Sequence, residues 1–155
     1  MKDKNKIAMG KKSRAAGGRF ELKVRVDLEK KGWIVAKWSN NVSLVFEQDI
    51  GEYVRELVKV KNKFLGPGRP MMLGAGFPDF IAFRMESIDT FDNGKKQKNW
   101  RIMGVESKMN GTLDKEEKEK CRWLLDKNIF GKILIAQKGL KRGEIIYKEF
   151  ESSVV

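Results

Sequence analysis

Residues 77–83 read Phe-Pro-Asp-Phe-Ile-Ala-Phe, and residues 100–108 read Trp-Arg-Ile-Met-Gly-Val-Glu-Ser-Lys. The first stretch is an apolar run that follows a proline, which predicts a buried strand opened by Asp79. The second stretch predicts another strand, whose side chains alternate between the two faces of a sheet. One face would carry Ile102, Gly104, Glu106 and Lys108, and the other would carry Met103, Val105 and Ser107. If the two strands pair, Asp79, Glu106 and Lys108 converge on one spot.

Two helices are predicted, one before these strands and one after them. Apolar residues recur at every fourth position within residues 15–31, which predicts an amphipathic helix that ends at Gly32. Its apolar stripe consists of Ala16, Phe20, Val24 and Leu28. Residues 114–127 predict the second helix, because Asp114 and Glu117 have the spacing of a capping box.

The remaining patterns predict further strands and leave one segment open. Strands are predicted at residues 33–38, 132–136 and 144–147. Residues 42–76 fit a helix in one part and an extended chain in another, so both alternatives remain. Residues 86–99 are polar and predict an exposed hairpin tip or loop. The predicted order is therefore α, β, β, β, α, β, β, an α/β fold around a mixed sheet flanked by helices.

Composition restricts the possible chemistry. The chain has 155 residues, no histidine and one cysteine, so histidine catalysis, zinc knuckles and internal disulfides are excluded. Any catalysis must use carboxylates, lysine, hydroxyls or a hard metal ion. The net charge of +12 indicates a polyanionic partner, since lysine and arginine displace the counterions of phosphates. Solubility is the alternative reason for charge, although acidic residues would serve it equally well.

The predicted convergence of Asp79, Glu106 and Lys108 suggests a metal site. Two adjacent carboxylates repel each other unless a cation lies between them, and Mg²⁺ prefers such oxygen ligands. The backbone carbonyl of Ser107 lies between the acids in sequence and is a third candidate ligand. Such a metal would activate a water molecule, while Lys108 would stabilise negative charge on a phosphate. This chemistry hydrolyses phosphodiesters without histidine.

Structural explanations compete with this hypothesis at each position. Asp79 after a proline is a common turn residue, and Glu106 with Lys108 would make an ordinary cross-strand ion pair. Glu21 has Arg25 four residues later, which is the spacing of a surface ion pair. Asp79 enters an unusually apolar run, however, and a buried carboxylate needs a partner. The three residues taken together therefore favour a functional site.

Basic segments flank this candidate site. Residues 1–14 predict a flexible basic arm that precedes a single domain over residues 15–155. A Gly/Pro-rich loop before Asp79 carries further cations that suit backbone phosphates of a duplex. The candidate phosphate-binding residues are Lys11, Lys12, Arg14, Ser39, Lys59, Lys61, Lys63 and Arg69. Ser39 also belongs to a Ser-Asn-Asn turn, and a basic arm is also a common solvated tail.

The residues Gly76-Phe77-Pro78-Asp79 and Glu106-Ser107-Lys108 resemble the motif of the PD-(D/E)xK nuclease superfamily. Within it, the chain is similar to archaeal Holliday-junction resolvases through Glu21, Lys31–Val35 and Pro78–Ala82. It is similar to the virus-type replication-repair (VRR-NUC) nuclease modules through residues 76–79, 106–108 and 113–124. Together these matches cover roughly residues 13–137.

The resemblance implies a restriction-endonuclease-like αβββαβ core, dependence on Mg²⁺ or Mn²⁺, a DNA substrate and often a homodimer. It implies that Asp79 and Glu106 bind metal, that Lys108 is the catalytic lysine and that Glu21 touches metal-bound water. Relatives often place a glutamine on the helix after the lysine, and here Glu117 stands there instead. Glu117 is therefore a further candidate, and it is also the acid of the capping box.

These observations lead to a metal-dependent DNA endonuclease as the first hypothesis, with branched or duplex DNA as substrate. The second hypothesis is a non-catalytic nucleic-acid-binding module with a nuclease-like fold, and an RNA-directed role is a third. No apolar run approaches the ~20 residues of a membrane helix, so no membrane association is expected. The basic N-terminus lacks an apolar signal segment, so we expect an intracellular protein, in the host cytoplasm if it is viral.

Overall fold

The computed structural model describes residues 4–68, 71, 74 and 76–151. Its elements are α1 (Lys4–Lys30), β1 (Ile34–Lys37), β2 (Asn40–Glu47), β3 (Glu52–Lys59), β4 (Phe80–Thr90), β5 (Lys96–Ser107), α2 (Lys115–Asp126), β6 (Ile133–Lys138) and β7 (Ile145–Glu149). The chain is thus an α/β protein, as the sequence predicts. Neither described helix is long and apolar enough to cross a membrane.

Five strands form one mixed sheet in the order β1-β4-β5-β6-β7. Strands β5 and β6 are parallel, with Gly104 opposite Ile133, and the chain crosses between them through α2. All other neighbouring pairs in this sheet are antiparallel. Because β5 and β6 are parallel, their carboxyl ends lie at one edge of the sheet, together with the start of β4. We call this the site edge.

The two helices cover opposite faces of the sheet. Phe20, Val24 and Leu28 of α1 pack in one buried cluster, and its sheet residues are Val35, Phe80, Ala82, Met103, Val105 and Ala136. Cys121 and Leu124 of α2 belong to the other cluster, with Phe77, Leu113, Phe130, Ile133 and Ile135. The alternation predicted for residues 102–108 agrees with this division, since Met103 and Val105 face α1. Glu106 therefore points to the side of α2.

Residues 40–59 are a hairpin in the structure, which resolves the segment that the sequence left open. Strands β2 and β3 pair in a separate two-stranded sheet, with Val42 opposite Leu57 and Phe46 opposite Tyr53. Five strands therefore precede α2, where the sequence predicts three. The helical alternative for this segment is wrong, because alternating apolar residues pair across the strands and Val42 is buried against the α2 cluster.

Helix α1 begins at Lys4, well before the predicted start at Ala15. Residues 4–14 of the expected basic arm are therefore helical, and they continue the helix that packs on the sheet. The prediction of a start at Ala15 came from the apolar stripe alone, whereas lysine and alanine are good helix formers that extend a helix without burial. The flexibility expected of the arm stays a prediction.

Helix α2 has the capping box that the sequence predicts. The Asp114 carboxylate accepts a hydrogen bond from the Glu117 backbone N–H at 2.8 Å. The Glu117 carboxylate accepts one from the Asp114 backbone N–H at 3.0 Å. The polar segment 86–99 is also as predicted, because β4 and β5 extend into an exposed hairpin whose turn contains Asp92 and Gly94.

Candidate active site

Register places Asp79 and Glu106 next to each other at the site edge. Phe80 of β4 pairs with Val105 of β5, so the residue before Phe80 and the residue after Val105 are neighbours. Asp79 and Glu106 are also the only buried charged residues in the described part of the chain, with exposed fractions of 9% and 5%. The predicted convergence is therefore present in the structure.

Backbone hydrogen bonds connect the two carboxylates. The Asp79 backbone N–H donates to Glu106 Oε2 at 3.1 Å, and the Ser107 backbone N–H donates to Asp79 Oδ2 at 2.9 Å. Glu106 thus accepts a hydrogen bond from the backbone of Asp79, and Asp79 accepts one from the residue after Glu106. These bonds hold both carboxylates in one orientation. The hydroxyl of Ser107 is buried beside them and has no hydrogen-bond partner among the described residues.

Lys108 reaches the same spot and is held by α2. Its Nζ lies 3.4 Å from Glu106 Oε1 and donates a hydrogen bond to Glu117 Oε1. The first turn of α2 therefore supplies the second acid beside the lysine, Glu117. The Lys108 side chain keeps 28% of its surface exposed, so it is only partly buried at the site.

Burial changes the titration of these acids. Burial is the main cause that raises the pKa of Glu106 to about 8, and the charge of Asp79 adds to it while Lys108 opposes it. Burial also raises the pKa of Asp79, against the hydrogen bond from the Ser107 backbone. At neutral pH and without a cation, the carboxylate pair therefore retains a proton.

Burial also affects the pKa of two nearby groups, the Lys108 ammonium group and the Cys121 thiol. Other interactions outweigh it at Lys108, whereas it dominates at Cys121. At Lys108 burial lowers the pKa, but the hydrogen bond to Glu117 and the charge of Glu106 raise it more, so the net shift is upward. The ammonium group therefore stays charged. Burial raises the pKa of the Cys121 thiol to about 12, and the charge of Glu106 adds to this. Cys121, the single cysteine of the chain, is therefore an unreactive core residue.

Glu21 of α1 lies at the rim of the site, paired with a lysine that the sequence analysis missed. Its Oε2 is 2.9 Å from Lys37 Nζ, and its charge contributes to the raised pKa of Asp79. The alternative pair with Arg25 is absent, because Arg25 pairs with Glu29. Lys37 ends β1 opposite Phe80, and the next backbone N–H donates to the Asp79 carbonyl. Only the pairing of β1 with β4 reveals this position.

Gly104 also contributes to the site without touching the acids. A Cβ atom at this position would lie 2.8 Å from Cγ of Pro78 and 3.3 Å from the Phe130 ring. The glycine thus lets Pro78 pack directly against β5, which places the next residue, Asp79, beside Glu106. A glycine inside a strand pattern is the sequence signal for such a close approach.

None of the described residues predicted to bind phosphate forms a hydrogen bond or an ion pair with Asp79 or Glu106. Lys59, Lys61 and Lys63 are exposed at the end of β3 and in the loop that follows. Lys59 and Ser39 line a cavity of about 440 Å³ with Lys37, Trp38 and Val60. The part of α1 that precedes Phe20 carries three of the predicted residues in exposed positions: Lys11, Lys12 and Arg14. Arg69 lies outside the described residues.

The donor set agrees with a hard divalent cation. Asp79 and Glu106 offer carboxylate oxygens, and a bound cation would replace the retained proton and relieve the repulsion between them. Among the described residues, no three His, Cys, Asp or Glu side chains are grouped so that they could hold one metal ion. The set predicted here has two carboxylates and takes its third ligand, the Ser107 carbonyl, from the backbone.

No family model, curated protein or solved structure matches this chain. The site's geometry, burial and charge are therefore the basis for any inference about function. The geometry unites Asp79, Glu106, Ser107, Lys108 and Glu117, with Glu21 at the rim. These are the residues that the sequence singles out for chemistry.

Proposed function

We propose that the protein is a metal-dependent DNA endonuclease that hydrolyses phosphodiester bonds at the site edge. The single observation that supports this most strongly is the buried pair Asp79 and Glu106, bridged by backbone hydrogen bonds, with Lys108 beside it. Two buried carboxylates destabilise a fold unless opposite charge compensates them, and a bound divalent cation would provide that charge. The net charge of +12 suits a phosphodiester substrate.

In this proposal Asp79, Glu106 and the Ser107 carbonyl hold Mg²⁺ or Mn²⁺. When bound, the ion supplies an activated water and neutralises charge on the phosphate. Lys108 donates to the phosphate oxygen that gains negative charge, and its raised pKa keeps it protonated for that task. Glu117 orients the ammonium group. Glu21 accepts a hydrogen bond from water at the rim, where Lys37 holds it.

The order of elements supports the resemblance to PD-(D/E)xK nucleases. Helix α1, strands β1, β4 and β5, helix α2 and strand β6 follow one another as in an αβββαβ core, once the β2–β3 hairpin is treated as an insertion. Asp79 then lies directly before the second core strand, and Glu106 lies near the end of the third, which agrees with the motif. We propose the restriction-endonuclease-like fold on this basis, with β7 as an added edge strand.

A cleavage assay tests the proposal. Wild-type protein should nick labelled DNA with Mg²⁺ or Mn²⁺ and not with EDTA, while Asp79→Asn and Glu106→Gln should be inactive. Asp89→Asn is the matched control, because Asp89 is an exposed acid of β4 at the far end of the strand. Equal cleavage by all four proteins would remove the site from the mechanism. A substrate panel of linear duplex, single strand, flap, splayed arm and four-way junction, with RNA as competitor, would then define the substrate.

One observation favours a second candidate, a non-catalytic nucleic-acid-binding module. The acids, Lys108 and Glu117 already satisfy one another through hydrogen bonds and ion pairs within the chain. Calorimetric titration with Mn²⁺ separates the candidates. The nuclease binds Mn²⁺ more tightly as pH rises towards 8, since the proton on Glu106 must leave. Tight DNA binding with no Mn²⁺ binding that depends on Asp79 would identify the binding module.

The homodimer implied by the resemblance remains part of the proposal. A resolvase needs two symmetric active sites for paired cuts, so the dimer has a mechanistic purpose. Light scattering at the assay concentration measures it directly. Cleavage of DNA by a monomer would support the nuclease hypothesis and would exclude the resolvase hypothesis.

A further inference from the structure

The turn between β6 and β7, residues 139–144, is a compact and strongly basic element. The Gly139 backbone N–H donates to the Glu144 carbonyl at 2.9 Å, and the Lys141 backbone N–H donates to Glu144 Oε2 at 3.1 Å. These bonds close the turn around Glu144. Lys138, Lys141 and Arg142 are exposed, and none of them forms an ion pair with another described residue.

This turn lies at the site edge. Strand β6 is parallel to β5, so the turn follows the same carboxyl end that bears Glu106. The Lys108 backbone N–H donates to the Ala136 carbonyl at 2.9 Å, and that of Lys138 donates to the Met109 carbonyl at 3.2 Å. Glu106 lies opposite Ile135, and the turn begins four residues further along β6. With ~3.3 Å per residue along a strand and ~4.8 Å between strands, the turn begins roughly 14 Å from Glu106. That span covers about four nucleotides of one DNA strand.

Helix α1 adds a wall to the turn. Phe20 and Lys23 of α1 and residues 138–145 line a cavity of about 390 Å³. Lys23 thereby joins the cations of the turn on one surface, and Glu144 is the single acid of the lining. The lining therefore has four cations and one acid, which leaves an excess of positive charge on this surface.

Leu140 is the unusual residue of this surface. Its side chain is fully exposed, at 102% of the reference value, between the cations of the turn. Packing of an exposed apolar side chain against another apolar surface is favourable, because it removes that side chain from water. Cations beside it, unpaired among the described residues, suit phosphates, and the apolar surface that accompanies phosphates in a nucleic acid is the face of a base. Leucine is one of the side chains that wedge between bases.

We propose that the β6–β7 turn is a second nucleic-acid-binding element of this protein. Lys141, Arg142, Lys23 and Lys138 bind backbone phosphates about four or more nucleotides from the scissile bond, on the α1 side of the site edge. Leu140 packs against a base that it displaces from the stack. The inference rests on the proposed function in taking DNA as the ligand, but it requires neither metal binding nor cleavage.

The opposite end of the sheet provides a matched control. The β4–β5 turn also carries two exposed cations, Lys95 and Lys96, and an exposed apolar residue, Phe91. This turn lies away from the site edge. We compare the double variants Lys141→Ala/Arg142→Ala and Lys95→Ala/Lys96→Ala, which lose the same charge. Binding to a fluorescein-labelled four-way junction is measured by anisotropy in EDTA at several salt concentrations.

The phosphate-binding part predicts that the first double variant loses about tenfold or more in affinity. Its slope of log K against log salt should fall by nearly two, since each lost phosphate contact removes ~0.9. The control should keep the wild-type slope. Equal behaviour of the two double variants would overturn this part. Binding of the turn to anionic vesicles in place of DNA would also overturn it.

The wedge is tested with 2-aminopurine placed at each position around the branch point, one position per oligonucleotide. Wild-type protein and Phe91→Ala should raise the fluorescence at one position, because an unstacked base emits more strongly. Leu140→Ala should lose that signal while it keeps most of the affinity. Identical fluorescence with Leu140→Ala and wild type at every position would exclude the wedge. Cleavage activity is not used in either readout, so a failure of the proposed nuclease is recognised separately.

Discussion

The two ends of strand β5 carry the same kinds of charged side chain in opposite surroundings. Towards its start, Arg101 pairs with Glu86 at 2.6 Å and both side chains remain well exposed. At its end, Glu106 is almost fully buried and faces Asp79, Lys108 and α2. The difference shows that burial, and not residue type, turns an ion pair of a strand into a candidate site.

The energetic cost of burial explains why only the Glu106 end of β5 is interpreted as functional. An exposed pair such as Glu86 and Arg101 contributes about 0–1 kcal/mol, so selection for stability has little to gain from it. Burying a carboxylate costs several kcal/mol before its partners offset that cost. A protein that retains both Asp79 and Glu106 in its core has kept a destabilising pair, which is expected when the pair does chemistry.

The largest expected effect concerns the lysines at the two ends of β5. Lys108→Ala should lower the rate of metal-dependent cleavage by about 10²–10³-fold, because the variant lacks the donor to the developing negative charge. Lys98→Ala, an exposed lysine of the same strand, should cleave at the wild-type rate. Single-turnover cleavage at saturating protein measures both rates. A similar loss in both variants would show that the comparison between the two ends is wrong.

The next effect concerns stability and pH. The pKa of Glu106 is raised from 4.5 to about 8, so between these values the folded protein binds a proton that the unfolded chain releases. Stability of the metal-free protein should therefore fall as pH rises through that window. Glu106→Gln should remove this penalty and stabilise the protein by about 1–2 kcal/mol at pH 8, with little change near pH 4.5.

Thermal unfolding in EDTA at several pH values measures this prediction. A gain of 1–2 kcal/mol corresponds to a rise of roughly 2–8 °C in Tm for a chain of this size. Glu86→Gln is the control at the exposed end of the strand pair, and its Tm should follow the wild type at every pH. A pH-independent difference between Glu106→Gln and wild type would contradict the buried, proton-binding state of Glu106.

A smaller effect is expected at Glu117, which acts through Lys108. Glu117→Ala should reduce cleavage by about tenfold, whereas Glu117→Gln keeps an acceptor for Lys108 and should retain most of the rate. Glu116→Ala is the control from the same helical turn, since Glu116 is exposed and pairs with Lys120. Loss of activity in proportion to loss of Tm would indicate a purely structural role in the capping box.

The smallest effect is expected for the exposed ion pair of Glu86 and Arg101. Glu86→Ala or Arg101→Ala should change the free energy of unfolding by less than about 1 kcal/mol, and added salt should reduce the difference. Urea unfolding followed by tryptophan fluorescence measures it. A loss of 2 kcal/mol or more would mean that this end of the sheet is buried in an interface.

Local pattern was sufficient to predict much of this structure. The capping box at Asp114 depends on residues three apart, and the alternation through Glu106 depends on the two-residue period of a strand. Both patterns are properties of neighbouring residues, so the sequence displays them. The start of α1 and the β2–β3 hairpin were missed, because an exposed helical turn lacks an apolar signature and residues 40–59 satisfy two periodicities.

The sequence by itself determined the residue types available for chemistry. It excluded histidine and disulfides, supplied the excess of cations, and placed acids at the ends of two apolar strands. Only the tertiary structure decided which of these residues meet. Pairing of β1 with β4 brings Lys37 to the site, the crossover through α2 brings Glu117 to Lys108, and the parallel β6 brings the turn at Leu140 to the same edge. Such contacts join residues far apart in the chain, and strand register, which no local pattern encodes, sets their distances.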